Sequence, residues 1–224
     1  MKSLEVFSNL ATSLDGKIAT SSREFFILGS PKDLLLLRKL RDSADAIVFG
    51  AEVLRAFRRP CLPLRKNHRI TNAVLSRDLR GIDPDWPFFV DARIDRVLYI
   101  SGKLSAARRA KFAERSRIVE LKSHDVAKEI LRDLSKQGMS KIGVEGGGSV
   151  MWEFARQNLI DRYYVTIVPR ILAGKGAPTL VDGAGFFPTE VLNLKLEKVR
   201  KVGSELFLIY SALGARGHRH PLLK

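Results

Sequence analysis

A run of small residues between an apolar segment and a helix-like segment is the strongest sign of chemistry in this sequence. The run is Gly146-Gly147-Gly148-Ser149-Val150, and it directly follows Lys141 to Glu145. Glycines let the backbone approach an anion closely, and the free N–H groups at a helix start favour phosphate. The run is neither a Walker loop nor a G-x-G-x-x-G motif. It predicts a phosphate cradle, with a ligand-free strand-to-helix turn as the alternative.

Glu145 is the acidic residue next to this glycine run. It comes at the carboxyl end of a predicted strand, where α/β sheets bind their ligands. A carboxylate in that place can contact a substrate, but it can also cap a helix or pair with a cation. The residues alone leave both interpretations open.

Two further groups of residues have types suited to ligand binding. Small and polar residues, Asp15 among them, follow the first predicted strand between positions 9 and 19. Arg41 ends a leucine-rich helix, and Arg65 follows Leu62-Pro63-Leu64. Guanidinium groups bind phosphate or carboxylate as forks. The alternatives are a simple turn and ordinary surface charges.

The chain of 224 residues carries a formal net charge of +15. Such a balance attracts anions. A phosphorylated small substrate, nucleic acid and a merely solvated basic surface are all candidate explanations. The sequence does not favour nucleic acid, since no aromatic strand motif, zinc finger or basic recognition helix accompanies the charge.

Several protein classes are disfavoured by simple counts. Cys61 is the single cysteine and the four histidines lack ligand spacing, so neither an internal disulfide nor a metal site is predicted. No apolar run approaches the ~18 residues of a membrane span. The apolar amino terminus is interrupted by Glu5, Asn9 and Asp15, unlike a signal peptide. We therefore expect a cytoplasmic protein with no membrane partner.

Short apolar segments alternate with helix signals along the chain. Each strand-helix-strand unit of this kind favours parallel strands, and the last two segments favour an antiparallel hairpin. We predict an α/β three-layer sandwich with a mixed, mostly parallel sheet, formed by one domain over 1–213, and a basic, disordered tail over 214–224. The predicted strands are 4–11, 45–50, 72–76, 88–90, 97–101, 117–121, 141–145, 163–168 and the hairpin 191–201 with 205–211; the predicted helices are 31–41, well buried through its leucines, 105–114, 124–137 and 149–157.

Four blocks of the sequence resemble, in their order and spacing, the riboflavin-biosynthesis pyrimidine reductase family, whose fold is like that of dihydrofolate reductase. Together they cover roughly residues 4 to 182, which is far more specific than any single block. A proline- and glycine-rich segment over 169–176 extends the resemblance. The blocks are Ala11 to Ala19, Leu40-Arg41 with Ala44 to Gly50, Val144 to Gly147, and Leu159 to Arg162.

The resemblance implies an NADPH-dependent reduction of a ribosylamino-pyrimidine 5′-phosphate to the ribitylamino compound, with hydride delivered to C1′ of the ribose. It also implies a homodimer. It implies catalytic positions for Asp15 and Glu145, with Asp15 near the reacting groups in either a catalytic or an organising role. Cofactor contacts are implied for Ala11, Phe26, Gly50, Gly146, Gly147, Gly148, Ser149, Val150 and Trp152, and substrate contacts for Asn9, Arg41, Leu62, Arg65 and Glu145.

The sequence departs from the family pattern after Gly50. The family usually has Gly-x-Gly-Thr-Val and then an Asp-Asp-Pro or Asn-Pro turn, which this chain lacks. Glu52 occupies the Thr position and would repel a cofactor phosphate unless it turns away. Glu24 and Phe26 stand where the family has Ser and Trp. The lone cysteine cannot form the Pro-Cys-x-x-Cys of the fused deaminase. We expect a stand-alone, divergent reductase; the alternative is a non-catalytic nucleotide or nucleic-acid binder.

Overall fold

The computed structural model describes residues 3–213. In this part of the chain one sheet is combined with helices on both of its faces. The strands are β1 (Glu5–Ser13), β2 (Ala46–Gly50), β3 (Ile70–Ser76), β4 (Ile94–Ile100), β5 (Arg117–Glu120), β6 (Lys141–Val144), β7 (Arg162–Val168), β8 (Leu194–Val202) and β9 (Glu205–Ala212). The helices are α1 (Pro31–Arg41), α2 (Ala51–Phe57), α3 (Pro87–Val90), α4 (Ala106–Ala113), α5 (Val126–Lys136) and α6 (Gly148–Ala155).

The sheet is mixed and mostly parallel, as predicted. Its strand order is β5-β4-β3-β2-β6-β1-β7-β9-β8. The first seven strands in this order, from β5 across the sheet to β7, are parallel to one another. Strand β9 pairs in antiparallel register with both β7 and β8. Parallel strands need covered faces because helical crossovers return the chain over them. The antiparallel hairpin at one end of the sheet is confirmed.

Two apolar clusters fill the space on opposite faces of the sheet, which confirms the three-layer sandwich. On one face, called here the α5/α6 face, Leu131 and Phe154 are fully buried with Val6 and Val144. On the other, called here the α2/α4 face, the fully buried residues include Phe7, Ile47, Leu54, Phe88 and Phe112. Successive side chains of each central strand point into the two clusters in turn. The central strands are therefore apolar at nearly every position.

Two local predictions were wrong, and one helix was missed. Helix α1 begins at the predicted Ser30 cap but contains no buried residue, and Leu34 and Leu35 are 40% and 42% exposed. Of its leucines, Leu40 packs against the α2/α4 cluster. Residues 88–90 form the short helix α3, because Pro87 starts a turn that buries two phenylalanines. Helix α2 was not predicted at all; Ala51 and Leu54 give it an i,i+3 apolar face.

None of the helices within residues 3–213 is long and apolar enough to cross a membrane. The basic tail predicted at 214–224 lies outside the described residues.

Candidate functional site

The site lies in a crevice between the neighbouring parallel strands β2 and β6. Helix α2 follows β2 and packs on the α2/α4 face, whereas α6 follows β6 and packs on the α5/α6 face. Where two adjacent parallel strands send their helices to opposite faces, a crevice opens at their carboxyl ends. Two backbone hydrogen bonds cross it: Gly50 N–H donates to the Gly146 carbonyl at 2.8 Å, and Glu145 N–H donates to the Val48 carbonyl at 2.9 Å.

The predicted glycine turn links β6 to α6 at this crevice. Gly146 has φ +90°, a conformation that residues with a side chain rarely adopt, and its peptide bond to Gly147 is cis. A Cβ on Gly148 would lie 2.7 Å from the Thr179 carbonyl oxygen and still closer to the Asp182 carboxylate. Position 148 therefore requires glycine for lack of space, because Thr179 and Asp182 pack against the start of α6.

A cavity of ≈ 630 Å³ opens in front of this turn. Its size falls in the range typical of small-molecule and cofactor sites. Of the predicted cofactor residues, Gly50, Gly147, Gly148, Ser149 and Val150 line it.

Four predicted cofactor residues do not line this cavity. Ala11 and Phe26 lie outside its lining, and Gly146 contributes its carbonyl to the bond with Gly50. Trp152 faces another, smaller pocket, where its ring packs 4.9 Å from that of Phe186. The Trp152 ring thus lies against Phe186 and Gly183 and not in the cavity.

The cavity continues into a basic pocket that the sequence interpretation missed. Arg55 and Arg77 line both spaces, and Arg80 and Lys103 line the outer one. Against these four cations stand two acids, Glu52 and Asp78. The outer pocket therefore carries surplus positive charge, suited to an anionic group. Arg77 directly follows β3, so the predicted strand 72–76 already placed it at the carboxyl end of a strand.

Glu52, the unusual acid after Gly50, is turned toward cations. Arg55 donates to Glu52 Oε1 at 2.5 Å, and Arg23 lies 3.9 Å from Oε2. The hydrogen bond from Arg55 lowers the pKa of Glu52 below its usual range. Two guanidinium groups thus offset the negative charge that the sequence placed beside the cavity.

On the α2/α4 face of the same crevice, Arg41 and Glu145 form a buried ion pair. Arg41 Nε and Nη2 donate to the two carboxylate oxygens at 2.9 Å and 2.6 Å, and the side chains are 13% and 6% exposed. Arg41 Nη1 donates to the Leu62 carbonyl at 3.2 Å. The salt-bridge interpretation of Glu145 is therefore correct, and the pair also lies where a substrate contact was predicted.

Asn9 and Arg65 complete the predicted substrate set on this face. Asn9 lies two residues after the buried Phe7 along β1, so the two side chains face the same side of the sheet. It is 5% exposed, and its Oδ1 has no hydrogen-bond partner among the described residues. The Arg65 side chain is 65% exposed and donates to the Asp42 carbonyl at 2.5 Å. Asn9, Arg41, Leu62 and Glu145 thus surround one buried polar region, with Arg65 at its rim.

Cys61 borders this region from the loop between α2 and β3. Burial raises the pKa of its thiol to about 12, although the positive charge of Arg41 acts in the opposite direction. A thiol of this kind stays protonated and unreactive at neutral pH.

Asp15 joins two loops beside the crevice. Its carboxylate accepts hydrogen bonds from the Ser13 hydroxyl at 2.6 Å and from the N–H groups of Leu172 and Ala173 at 3.0 Å and 2.8 Å. The Ser13 hydroxyl and the Leu172 N–H lower the pKa of Asp15 to about 2. A carboxylate so acidic is a poor proton donor, and these contacts favour a role in organising the loops.

Known proteins resemble the chain over most of its length. A 2,5-diamino-6-ribosylamino-4(3H)-pyrimidinone 5′-phosphate reductase from Methanothermobacter thermautotrophicus is 28% identical over 217 residues, covering 93% of this chain and 98% of the relative. The crystal structure of a pyrimidine reductase-like protein from Corynebacterium diphtheriae has TM-score 0.80 and 24% identity, covering 94% and 92% of the two chains.

The dihydrofolate-reductase-like fold predicted from the sequence is also confirmed. Dihydrofolate reductase from Enterococcus faecalis matches with TM-score 0.54 and 14% identity, covering 95% of this chain and 99% of that one. The family model described as the RibD C-terminal domain matches residues 5–208. The chain therefore belongs to the RibD C-terminal domain family.

Proposed function

We propose that this protein is an NADPH-dependent reductase that converts a ribosylamino-pyrimidine 5′-phosphate into the ribitylamino compound. The observation that carries the proposal is the crevice between β2 and β6, which has an open cavity lined by Gly147 and Gly148 together with the buried ion pair of Arg41 and Glu145. When bound, NADPH supplies the hydride for C1′ of the ribose. The C1′–O4′ bond breaks as O4′ takes a proton, so one NADPH and one proton are consumed.

The cavity would hold the cofactor. Gly147 and Gly148 line the cavity without side chains, and the free N–H groups at the start of α6 would hold the cofactor pyrophosphate there. The basic pocket at the outer end supports NADPH over NADH, since a 2′-phosphate would meet Arg77 and Lys103 there. The pairing of Glu52 with Arg55 removes the main objection to a phosphate at this place.

The buried polar region would hold the substrate, as the resemblance implied. Because Arg41 is fully engaged by Glu145 and Leu62, we assign the 5′-phosphate to Arg65, whose guanidinium is largely exposed. Arg41 then holds the Glu145 carboxylate in a fixed orientation. The unpartnered Asn9 Oδ1 can accept a hydrogen bond from an amino group of the pyrimidine. Ala11, Phe26 and Gly146 remain predicted cofactor neighbours.

Incubation of the purified protein with NADPH and a ribosylamino-pyrimidine 5′-phosphate tests the reaction. We expect NADPH oxidation and a product heavier by two hydrogens in mass spectrometry. Saturable NADPH binding without turnover on this or the deaminated pyrimidine would instead favour the non-catalytic nucleotide binder. Salt-sensitive retention on RNA or DNA, with no NADPH binding, would favour a nucleic-acid protein.

Cofactor choice is tested separately by Arg77→Gln. Removing this cation should weaken NADPH binding by about ten- to a hundredfold and leave NADH binding nearly unchanged, because a charge-assisted contact to phosphate is worth about 1.5–3 kcal/mol. Arg69→Gln is the matched control, since Arg69 pairs with Asp95 at the opposite end of the strands. Equal losses for both cofactors would contradict the assignment of the 2′-phosphate.

We also propose a homodimer. Three residues of β8, namely Leu194, Leu196 and Val199, point to one side of the sheet by their register with β9 and are 38%, 47% and 52% exposed. Phe187 and Val191, 73% and 54% exposed, precede this strand. Apolar surface of this kind favours association. Sedimentation analysis should give twice the chain mass of 25.1 kDa, and a monomer at micromolar concentration would contradict the proposal.

A further inference from the structure

The loop that carries Leu62 and Arg65 is fastened to the sheet by one buried amide. Asn72 lies within β3 and is fully buried, between Ile70 and Val74 of the α2/α4 cluster. Its Oδ1 accepts a hydrogen bond from the Cys61 N–H at 2.7 Å, and its Nδ2 donates to the Cys61 carbonyl at 3.1 Å. One side chain thus satisfies both backbone groups of a single loop residue.

An amide in an apolar cluster costs free energy unless both of its polar ends are hydrogen-bonded. Here both ends are paired, and the pairing holds only when Cys61 occupies this place. Pro60 and Pro63 flank the fastened segment and have no N–H of their own to donate. The two bonds of Asn72 therefore fix the position of Cys61, while hydrogen bonds from Arg38 Nη2 to the Pro63 carbonyl and from the Arg65 N–H to Asp42 Oδ1 hold the residues that follow.

The fastened residue precedes the carbonyl that orients the buried ion pair. Leu62 accepts from Arg41 Nη1, and the same guanidinium uses Nε and Nη2 to hold Glu145. A shift of Cys61 would carry the Leu62 carbonyl with it and remove the third contact of Arg41.

We propose that Asn72 is a positioning residue of the substrate site, which fixes the 58–69 loop and, through Leu62, the orientation of Arg41 and Glu145. The expected effect of Asn72 on turnover rests on the proposed function. Its structural part is independent of any activity, because Asn72 contacts neither the cavity nor the ion pair directly.

The single cysteine provides a direct readout of the loop. Cys61 is 8% exposed and its thiol has a pKa of about 12 against an ordinary value of 9.0. Opening of the loop would expose the thiol and return its pKa toward the ordinary value, which raises the thiolate fraction by up to about a thousandfold. The rate of labelling by a thiol reagent under native conditions therefore measures loop detachment.

Asn72→Val keeps a strand-forming side chain and removes both hydrogen bonds. We expect Cys61 labelling to accelerate at least about tenfold. The KM for the pyrimidine substrate should rise by a similar factor and kcat should fall, because Glu145 is no longer held in place, whereas the KM for NADPH changes little. Asn72→Thr, which retains one hydroxyl, should give an intermediate labelling rate and carries the test if the valine variant does not fold.

Asp133→Ala is the matched control. Asp133 lies on α5 at the other face of the sheet and accepts from Arg117 Nη1 and Gln137 Nε2, both at 3.0 Å, so its loss destabilises the fold far from the loop. At equal loss of thermal stability, this variant should label slowly. Labelling that follows global stability in both variants would overturn the proposal. Fast labelling of the Asn72 variants with no reductase activity in the wild type would uphold the positioning role and contradict only the proposed function.

Discussion

The two sides of the crevice differ in the groups that line them. On the side proposed for the cofactor, backbone and empty space dominate: Gly147 and Gly148 face a cavity of ≈ 630 Å³, and the charged groups nearby, such as Glu52, are half-exposed. On the side proposed for the substrate, Arg41 and Glu145 are buried side chains that hold each other. The first side depends on shape and the second on paired charge.

This difference sets how each side responds to change. A buried ion pair is costly to break, because the remaining partner keeps its charge without compensation. A glycine turn has no such partner, and it fails only when added atoms occupy the space that the ligand or a neighbouring segment needs. Substitutions should therefore separate the two sides by their effects on stability and on binding.

The largest effect is expected for Glu145→Gln. The variant leaves the Arg41 guanidinium buried without a carboxylate, so the free energy of unfolding should fall by roughly 3 kcal/mol. Reduction should slow by about a hundredfold or more, since the substrate loses a fixed charge beside the reacting centre. Thermal unfolding and steady-state rates of NADPH oxidation measure the two effects.

The double variant Arg41→Gln with Glu145→Gln is the control for this prediction. Two amides can hydrogen-bond to each other and no buried charge remains, so stability should recover substantially while activity stays low. A single variant that stays active, or a double variant no more stable than the single one, would show that the pair is not the charged centre described here.

Much of the fold followed from the sequence because the central strands are short apolar runs with clear turn signals. The prediction of secondary structure or burial failed where a local sequence pattern is compatible with two structures. Residues 88–90 have strand-forming types, yet Pro87 starts a helical turn there. The leucines of α1 suggested burial, but Leu34 and Leu35 face outward. Periodicity gives the type of an element more reliably than what that element packs against.

The candidate site was predictable to the extent that backbone chemistry marks it. The glycine turn is visible because few residues tolerate its conformation and space. The basic pocket was missed because Arg77 follows β3 without any glycine signal, and only strand order brings it beside Gly50. The link from Asn72 to Cys61 joins residues from a strand interior and a loop, which no spacing rule connects.

An intermediate effect is expected for Gly148→Ala on the cofactor side. The new methyl group would collide with the Thr179 carbonyl and Asp182, so the start of α6 must shift. We expect NADPH binding to weaken by about tenfold and the free energy of unfolding to fall by about 1–3 kcal/mol. Gly176→Ala is the matched control, because a Cβ there meets nothing within 4 Å. Fluorescence titration with NADPH measures the difference, and unchanged affinity would mean that the turn does not carry the phosphates.

The smallest effect is expected for Asp15→Asn, which tests whether the loops beside the crevice are held by charge. The folded pKa of about 2 lies below the ordinary value of 3.8, so the ionised carboxylate stabilises the fold above pH 4. That contribution is lost as the pH falls through 2. The melting temperature of Asp15→Asn should therefore lie below that of the wild type at pH 7 and approach it near pH 2. Because the Ser13, Leu172 and Ala173 contacts weaken without unfolding the sheet, kcat should change by no more than about threefold. A loss of activity comparable to that of Glu145→Gln would instead place Asp15 among the reacting groups, and the division between a shape-dependent and a charge-dependent side would then have to include this loop.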